Sequence, residues 1–182
     1  MRRGEWVTLP PPRPVAIVTS MENSLPKPPR FDSLEQEAFL NLWRTYDRLR
    51  ALEETLFGEY DLSAQQYNTL RLLRAVHPET MPTLALGAKL ISRAPDMTRL
   101  LDKLEARNLV QRERRSENRR VVEVLITAEG LQLLKQLDDP VQACAKRQLG
   151  HLGQARLREL VDLLHAARTP HEDAESVWRG AQ

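Results

Sequence analysis

The chain has a single cysteine among its 182 residues, Cys144. One thiol excludes an internal disulfide framework and any zinc site built on several thiolates. No apolar run approaches the roughly 18 residues that a membrane-spanning helix requires. The N-terminus offers Arg2 and Arg3 and then a proline cluster, not the apolar core of a signal peptide. A soluble protein of the reducing cytoplasm, with no membrane partner, is the expectation. Excess charge of one sign is also lacking. The 27 basic and 25 acidic residues leave a net +2, so composition alone does not announce a nucleic-acid partner. The four histidines, His77, His151, His165 and His171, are far apart in sequence, and no metal-ligand spacing, nucleophile–base pairing or Gly-rich phosphate loop is visible. Neither an enzyme nor a cofactor is expected.

What is present is unevenly placed. Seven of the twelve prolines fall within the first thirty residues, where they remove backbone donors and fix φ. Residues 1–32 read as a Pro-rich disordered leader, and Met21 is an alternative start that would remove residues 1–20. Residues 169–182 are polar and aperiodic and read as a disordered tail. Between them, residues 33–168 have the length of one ordinary domain.

From Leu34 to Glu59, Leu34, Phe39, Leu42, Trp43, Tyr46, Leu49, Leu52 and Leu56 recur at helical spacing, with Gly58 and Asp61 near the stop. Ser63 and Gln66 form a capping box before a shorter helix carrying Tyr67, Leu70, Leu73 and Val76. Thr83 is placed to cap a third helix with Leu84, Leu86 and Leu90. A fourth follows from Pro95 to about Arg107, leaving through Asn108 in the left-handed region. The period then falls to two in Val110–Arg114 and Val122–Ile126, two strands joined by a polar turn. Thr127 caps a long helix carrying Leu131, Leu134, Leu137, Val141 and Leu149, with a kink expected at Pro140. A last helix, from about Gln154 to Ala167, is expected to bury Leu157, Leu160, Val161 and Leu164. The expected fold is mainly α with a small two-stranded β-wing: a winged helix-turn-helix over about 62–127, plus helical dimerisation regions at 34–59 and 128–168.

Local charge speaks where the total does not. Residues 84–120 hold ten basic and five acidic side chains, +5 in a chain of +2, so the remainder is −3. A basic module in an otherwise acidic protein suits phosphate binding by counterion release. Burial of Met97, Leu100, Leu101 and Leu104 would turn Asp96, Arg99 and Lys103 outward, with Thr98 near the end that enters a major groove. Thr98, Arg99 and Lys103, with the wing arginines Arg112, Arg114, Arg115, Arg119 and Arg120, are the candidate contacts with double-stranded DNA. Asp96 serves either as helix cap or as acceptor from a cytosine amino group. The plainer alternative is that the arginines solubilise the ribbon or pair with Glu113 and Glu117.

Asn118-Arg119-Arg120-Val121-Val122-Glu123-Val124-Leu125-Ile126-Thr127-Ala128-Glu129-Gly130 resembles the wing signature of the multiple-antibiotic-resistance regulators (MarR family), D-x-R-x-x-x-V-x-L-T-x-x-G. Met97-Thr98-Arg99-Leu100-Leu101-Asp102-Lys103-Leu104-Glu105 resembles that family's recognition helix. The match spans about residues 34–168 and departs at Asn108, Asn118 and Ile126. Asn118 replaces the aspartate that would pair with an arginine of the wing. The resemblance implies a sequence-specific repressor or activator, a homodimer on a pseudo-palindromic operator, released by a small aromatic effector. Trp43, Tyr46, Arg50 and Tyr67 are the candidate lining of that effector's site, or else plain core. Independently, the long helix at 34–59 and the two after Thr127 carry more apolar face than one winged module can cover, which points to a second copy of the chain. Cys144 reads as an inert buried thiol. From another class of function, a protein-interaction adaptor that keeps the winged fold without specific DNA binding stays open, with the Pro-rich leader as its docking peptide.

Overall fold

The computed structural model describes residues 30–91, 96–114 and 121–172. The Pro-rich leader to residue 29, Pro95 at the start of the fourth helix and the tail from residue 173 therefore lie outside the described residues. The chain divides into two units, Met1–Ala38 and Phe39–Gln182. In the first, Ser33 opens helix α1 (Leu34–Gly58): its hydroxyl accepts from the Gln36 amide at 3.2 Å, and the Gln36 side chain accepts from the Asp32 amide at 2.8 Å.

The second unit continues α1 and adds α2 (Ala64–Val76), β1 (Met81–Pro82), α3 (Thr83–Lys89), α4 (Met97–Glu105), β2 (Val110–Arg114), β3 (Val122–Ile126), α5 (Ala128–Leu149) and α6 (Gly153–Arg168). Short 3-10 turns follow α5 at Gly150–Leu152 and α6 at Thr169–His171. The strands form an antiparallel sheet in the order β1-β3-β2. Its main ladder pairs Val110 with Ile126, Arg112 with Val124 and Arg114 with Val122, so Val110, Val124 and Ile126 fall on one buried face. The expected two-stranded wing thus gains a third, two-residue strand. Met81 pairs with Val124 there and is itself buried.

Leu70, Leu73, Leu86, Leu101, Leu104, Val124, Leu134 and Leu137 make the centre of the core, with Phe57 from the end of α1. The capping box at Ser63 and Gln66 is present in both directions, at 3.2 and 2.8 Å. The Thr127 hydroxyl accepts from the Gly130 amide at 3.1 Å and caps α5, which runs through Pro140 as one helix. Three sequence readings change. Thr83 does not cap α3. Pro82 holds that position without a side-chain hydrogen bond, and the Thr83 hydroxyl donates to the Val122 carbonyl at 3.0 Å, tying α3 to the wing. Leu84 is not core but 88% exposed, because the short helix turns Leu86 inward instead. The last helix buries none of its residues; Val161 and Leu163 stand open because nothing among the described residues covers them.

Helix α5 starts hard against Leu109, in the turn that follows α4. A Cβ at Gly130 would lie 2.7 Å from Ile126 Cγ1 and closer still to the Leu109 carbonyl oxygen, so backbone has to move before any larger residue fits. Gly130→Ala is expected to cost about 1–3 kcal/mol of stability, the range for overpacking a close contact. Urea denaturation checks it, and an unchanged midpoint would show that the approach relaxes freely.

Candidate nucleic-acid interface

The orientation of α4 is set by its leucines. Leu100, Leu101 and Leu104 are buried and Met97 half-buried, each buried leucine contributing roughly 2 kcal/mol. Thr98, Arg99 and Lys103 are thereby left exposed on the other side. Asp96 accepts from the Arg99 amide at 2.9 Å, so its carboxylate serves as the helix cap.

The wing arginines do not share one environment. Arg114 is exposed at the end of β2. Arg115, Arg119 and Arg120, together with Asn118, lie outside the described residues. Arg112 is committed internally. Its amide and Nε donate to the Glu105 carboxylate at 3.1 and 2.9 Å, its Nη2 donates to the same group, and Nη2 also meets Asp102 at 2.7 Å. The clasp joins the outer flank of α4 to strand β2 and leaves the Arg112 side chain about one-quarter exposed. The Arg112 hydrogen bonds hold the Glu105 carboxyl below the usual carboxylate range, and the same bonds to Glu105 raise Arg112 in turn. Asp102 and Glu105, three residues apart on one side of the helix, read in sequence only as charges opposing the arginines. The seven-residue step from Glu105 across the Asn108 turn to Arg112 was the available signal. Arg107, though exposed, is also committed to the chain itself, donating to the Asp61 and Tyr60 carbonyls at 2.6 and 3.1 Å.

A cleft of about 810 Å³ opens between α3, the start of α4 and the wing, with Thr83, Leu84, Met97, Thr98, Arg114 and Val122 among its walls. The floor of the wing holds a buried carboxylate, Glu123, which accepts from the Thr80 hydroxyl.

The residues read as an effector site are only partly assembled. Trp43 and Tyr46 are 63% and 60% exposed on α1, Trp43 tilted against Phe39 with ring centroids 6.2 Å apart. Arg50, one turn beyond Tyr46, is paired with Glu54 at 2.7 Å. Tyr67 stands apart on α2, stacked on Phe57 at 4.6 Å, and burial pushes its hydroxyl pKa up. A smaller cleft of about 200 Å³ between α1 and α5 is lined by Leu52, Leu56, Glu59, Cys144 and Arg147 and by none of those four. Burial also raises the Cys144 thiol, which disfavours its reactive thiolate. Among the described residues, no helix is long and apolar enough to cross a membrane.

Because Glu105 is depressed in the folded chain, its contribution to stability is present above the ordinary glutamate value of about 4.3 and is lost as pH falls through the lower folded value. Glu105→Gln is therefore expected to be less stable than the parent at pH 7, with the gap narrowing as pH approaches 3. Thermal melts at both pH values measure it. A gap of constant size would mean that the clasp does not depend on the glutamate charge.

Comparison with known proteins follows the same geometry. The MarR family model matches residues 62–122. A MarR transcription factor from Planctomyces limnophilus is 59% identical, over 75% of this chain and 99% of its own, with a TM-score of 0.61. Two more distant structures share the fold. The regulator BpsR of Bordetella bronchiseptica, whose DNA binding is regulated by 6-hydroxynicotinic acid, is 23% identical over 72% of this chain and 98% of its own, TM-score 0.64. A cysteine-to-serine variant of MarR from E. coli complexed with operator DNA is 21% identical over 74% and 98%, TM-score 0.65. No curated protein matches the chain. With the buried leucines of α4, the three-stranded wing and a 59% identical relative matched over nearly its whole length, the chain belongs to the MarR family of DNA-binding transcription regulators and is not an enzyme.

Proposed function

We propose that the chain acts in the cytoplasm as a homodimer on a pseudo-palindromic operator and that a small aromatic ligand releases it. The observation that carries the reading is the polarity of α4. Its leucines are locked into the core while Thr98, Arg99 and Lys103 face outward beside the exposed Arg114. In this reading residues 62–127 form the DNA-binding lobe and Arg99 reads a base edge. Thr98 contacts a thymine methyl or a phosphate, and Lys103, Arg114, Arg115, Arg119 and Arg120 bind phosphate. Arg112 serves the same surface through its clasp on Glu105 and Asp102 rather than by direct contact.

The dimer rests on faces that the single chain leaves open. Phe39, Leu42, Trp43 and Tyr46 on α1, and Val161 and Leu163 on α6, are between 47% and 69% exposed. Such apolar area is unusual on a monomer, and a two-fold copy is the economical cover. Two recognition helices so related read half-sites about one helical turn, roughly 34–36 Å, apart. The ligand reading assigns Trp43, Tyr46, Arg50 and Tyr67 to an aromatic acid, the class that regulates DNA binding in the Bordetella protein.

Fluorescence anisotropy across a salt series tests the DNA reading, using a duplex enriched by the protein from a randomised pool and its scrambled counterpart. Arg99→Ala is expected to lose about 1–3 kcal/mol of preference for the enriched duplex. Arg119→Ala is expected to weaken both duplexes alike and flatten the salt slope by about one. If neither variant departs from the parent, the reading face is elsewhere. For the dimer, Trp43→Asp combined with Val161→Asp is expected to sediment as a monomer at micromolar concentration. A sedimentation coefficient equal to the parent's would place the interface on other surfaces.

A further inference from the structure

Helices α1 and α4 end in the same way. At the close of α1 the Asp61 amide donates to the Gly58 carbonyl at 3.2 Å and the Leu62 amide to Phe57 at 2.9 Å, with Asp61 at φ 52°. At the close of α4 the Asn108 amide donates to Glu105 at 2.8 Å and the Leu109 amide to Leu104 at 3.0 Å, with Asn108 at φ 56°. In each case the residue after the left-handed position is a buried leucine packed with the buried side chain five residues earlier. This paired-turn ending satisfies two carbonyls of the last turn and leaves the next ones outward, at the negative end of the helix dipole.

Arg107 lies two residues past the end of α4, directly before its left-handed residue, and its guanidinium reaches carbonyls of the turn that closes the other helix. Nη1 donates to Asp61 at 2.6 Å and Nη2 to Tyr60 at 3.1 Å. A planar fork on two consecutive carbonyls fixes direction as well as distance, which a flexible ammonium does not. The opposite side of the same turn is held too, since the Thr127 hydroxyl donates to the Asn108 carbonyl at 2.7 Å.

We propose that Arg107 is a positioning residue of the DNA-binding surface: it couples the C-terminal end of α1 to that of α4, so that the presentation of Thr98, Arg99 and Lys103 follows the position of α1. The inference rests on the reading of α4 as the DNA-reading helix. Although Arg107 lies in the basic segment and is exposed, its charge is directed at the carbonyls of the turn after α1 and not at a phosphate. A phosphate contact and a positioning fork respond differently to two substitutions. Lysine keeps the charge that a phosphate needs but loses the fork. Glutamine keeps an amide donor but loses the charge.

The test uses the full chain with Arg107→Lys, Arg107→Gln and, as a reference, Arg99→Ala. Each is titrated at several salt concentrations against the enriched duplex and its scrambled counterpart, below its own melting transition so that lost fold is not scored as lost position. Both Arg107 variants are expected to bind the enriched duplex about tenfold more weakly, within the range for coupling residues. Binding to the scrambled duplex and the salt slope are expected to stay at the parent values. Full affinity in Arg107→Lys, with a smaller salt slope in Arg107→Gln, would make Arg107 a phosphate ligand and overturn the inference. So would parental discrimination in both variants while Arg99→Ala loses it, and that result would leave the DNA reading standing. If the parent enriches no sequence, or Arg99→Ala binds like the parent, it is the DNA reading that fails and the inference goes with it.

Discussion

Everything that presents the outward face of α4 passes through the turn at Asn108. There α4 ends, β2 begins and α5 closes over both. The Leu109 carbonyl accepts the Thr127 amide at 3.2 Å, and the Asn108 carbonyl accepts the Thr127 hydroxyl. Gly130 lets the first turn of α5 approach Leu109 more closely than any side chain would permit. A left-handed residue without glycine costs some backbone energy, but asparagine tolerates it. What the turn secures is direction. The chain reverses within three residues and delivers Val110 into the buried face of the wing, in the same core as Leu104 of the helix it has just left.

That geometry sorts the arginines. A net +5 over residues 84–120 suggests a uniformly basic surface, yet two of those charges are committed to the protein itself. Arg112 is held by Glu105 and Asp102, and Arg107 by two backbone carbonyls. Charge-assisted contacts of this kind cost desolvation, and the low exposure of Arg112 shows that it has accepted that cost. The clasp makes α4 and β2 one rigid piece, so Arg99 and Arg114 keep a fixed separation. Fixed separation is what a duplex with phosphates at regular intervals requires of its partner. Counting charge along the sequence therefore overstates how much of it is available to a ligand, and understates how well the available part is placed.

The sequence carried most of the fold because its strongest signals are local. The capping box at Ser63, the left-handed Asn108, the Thr127 cap and the two-residue alternation in Val122–Ile126 each follow from neighbouring residues. The outward face of α4 was legible for the same reason, since four apolar positions at helical spacing leave only one arrangement for Thr98, Arg99 and Lys103. The failures came where a distant element decides. Thr83 looks like a cap, but the nearby Val122 carbonyl takes its hydroxyl. Met81–Pro82 is too short to show a period, and it is a strand only because β3 lies beside it. Arg107 and Arg112 resemble other surface arginines until their partners, one 46 residues away and the other across a turn, are placed.

The apolar faces of α1 and α6 bear on regulation as well as on assembly. A ligand shifts DNA affinity only by binding two arrangements of the protein unequally. In the proposed dimer those arrangements would differ in the spacing of the two α4 helices, which is set by whatever holds the two copies together. In the proposed dimer, α1 supplies open apolar residues at one end, Phe39 to Tyr46, and the carbonyls held by Arg107 at the other. Its middle carries Leu49, Leu52 and Leu56, only half-buried, and the Leu49 carbonyl accepts from Gln148 of α5 at 3.0 Å. A helix gripped at its end and loosely packed along its length can tilt without breaking its core contacts. In the proposed dimer, a tilt of α1 would reach the surface of α4 through Arg107. An aromatic ligand wedged beside Trp43 and Tyr46 would act on the half of α1 that the single chain leaves unsupported.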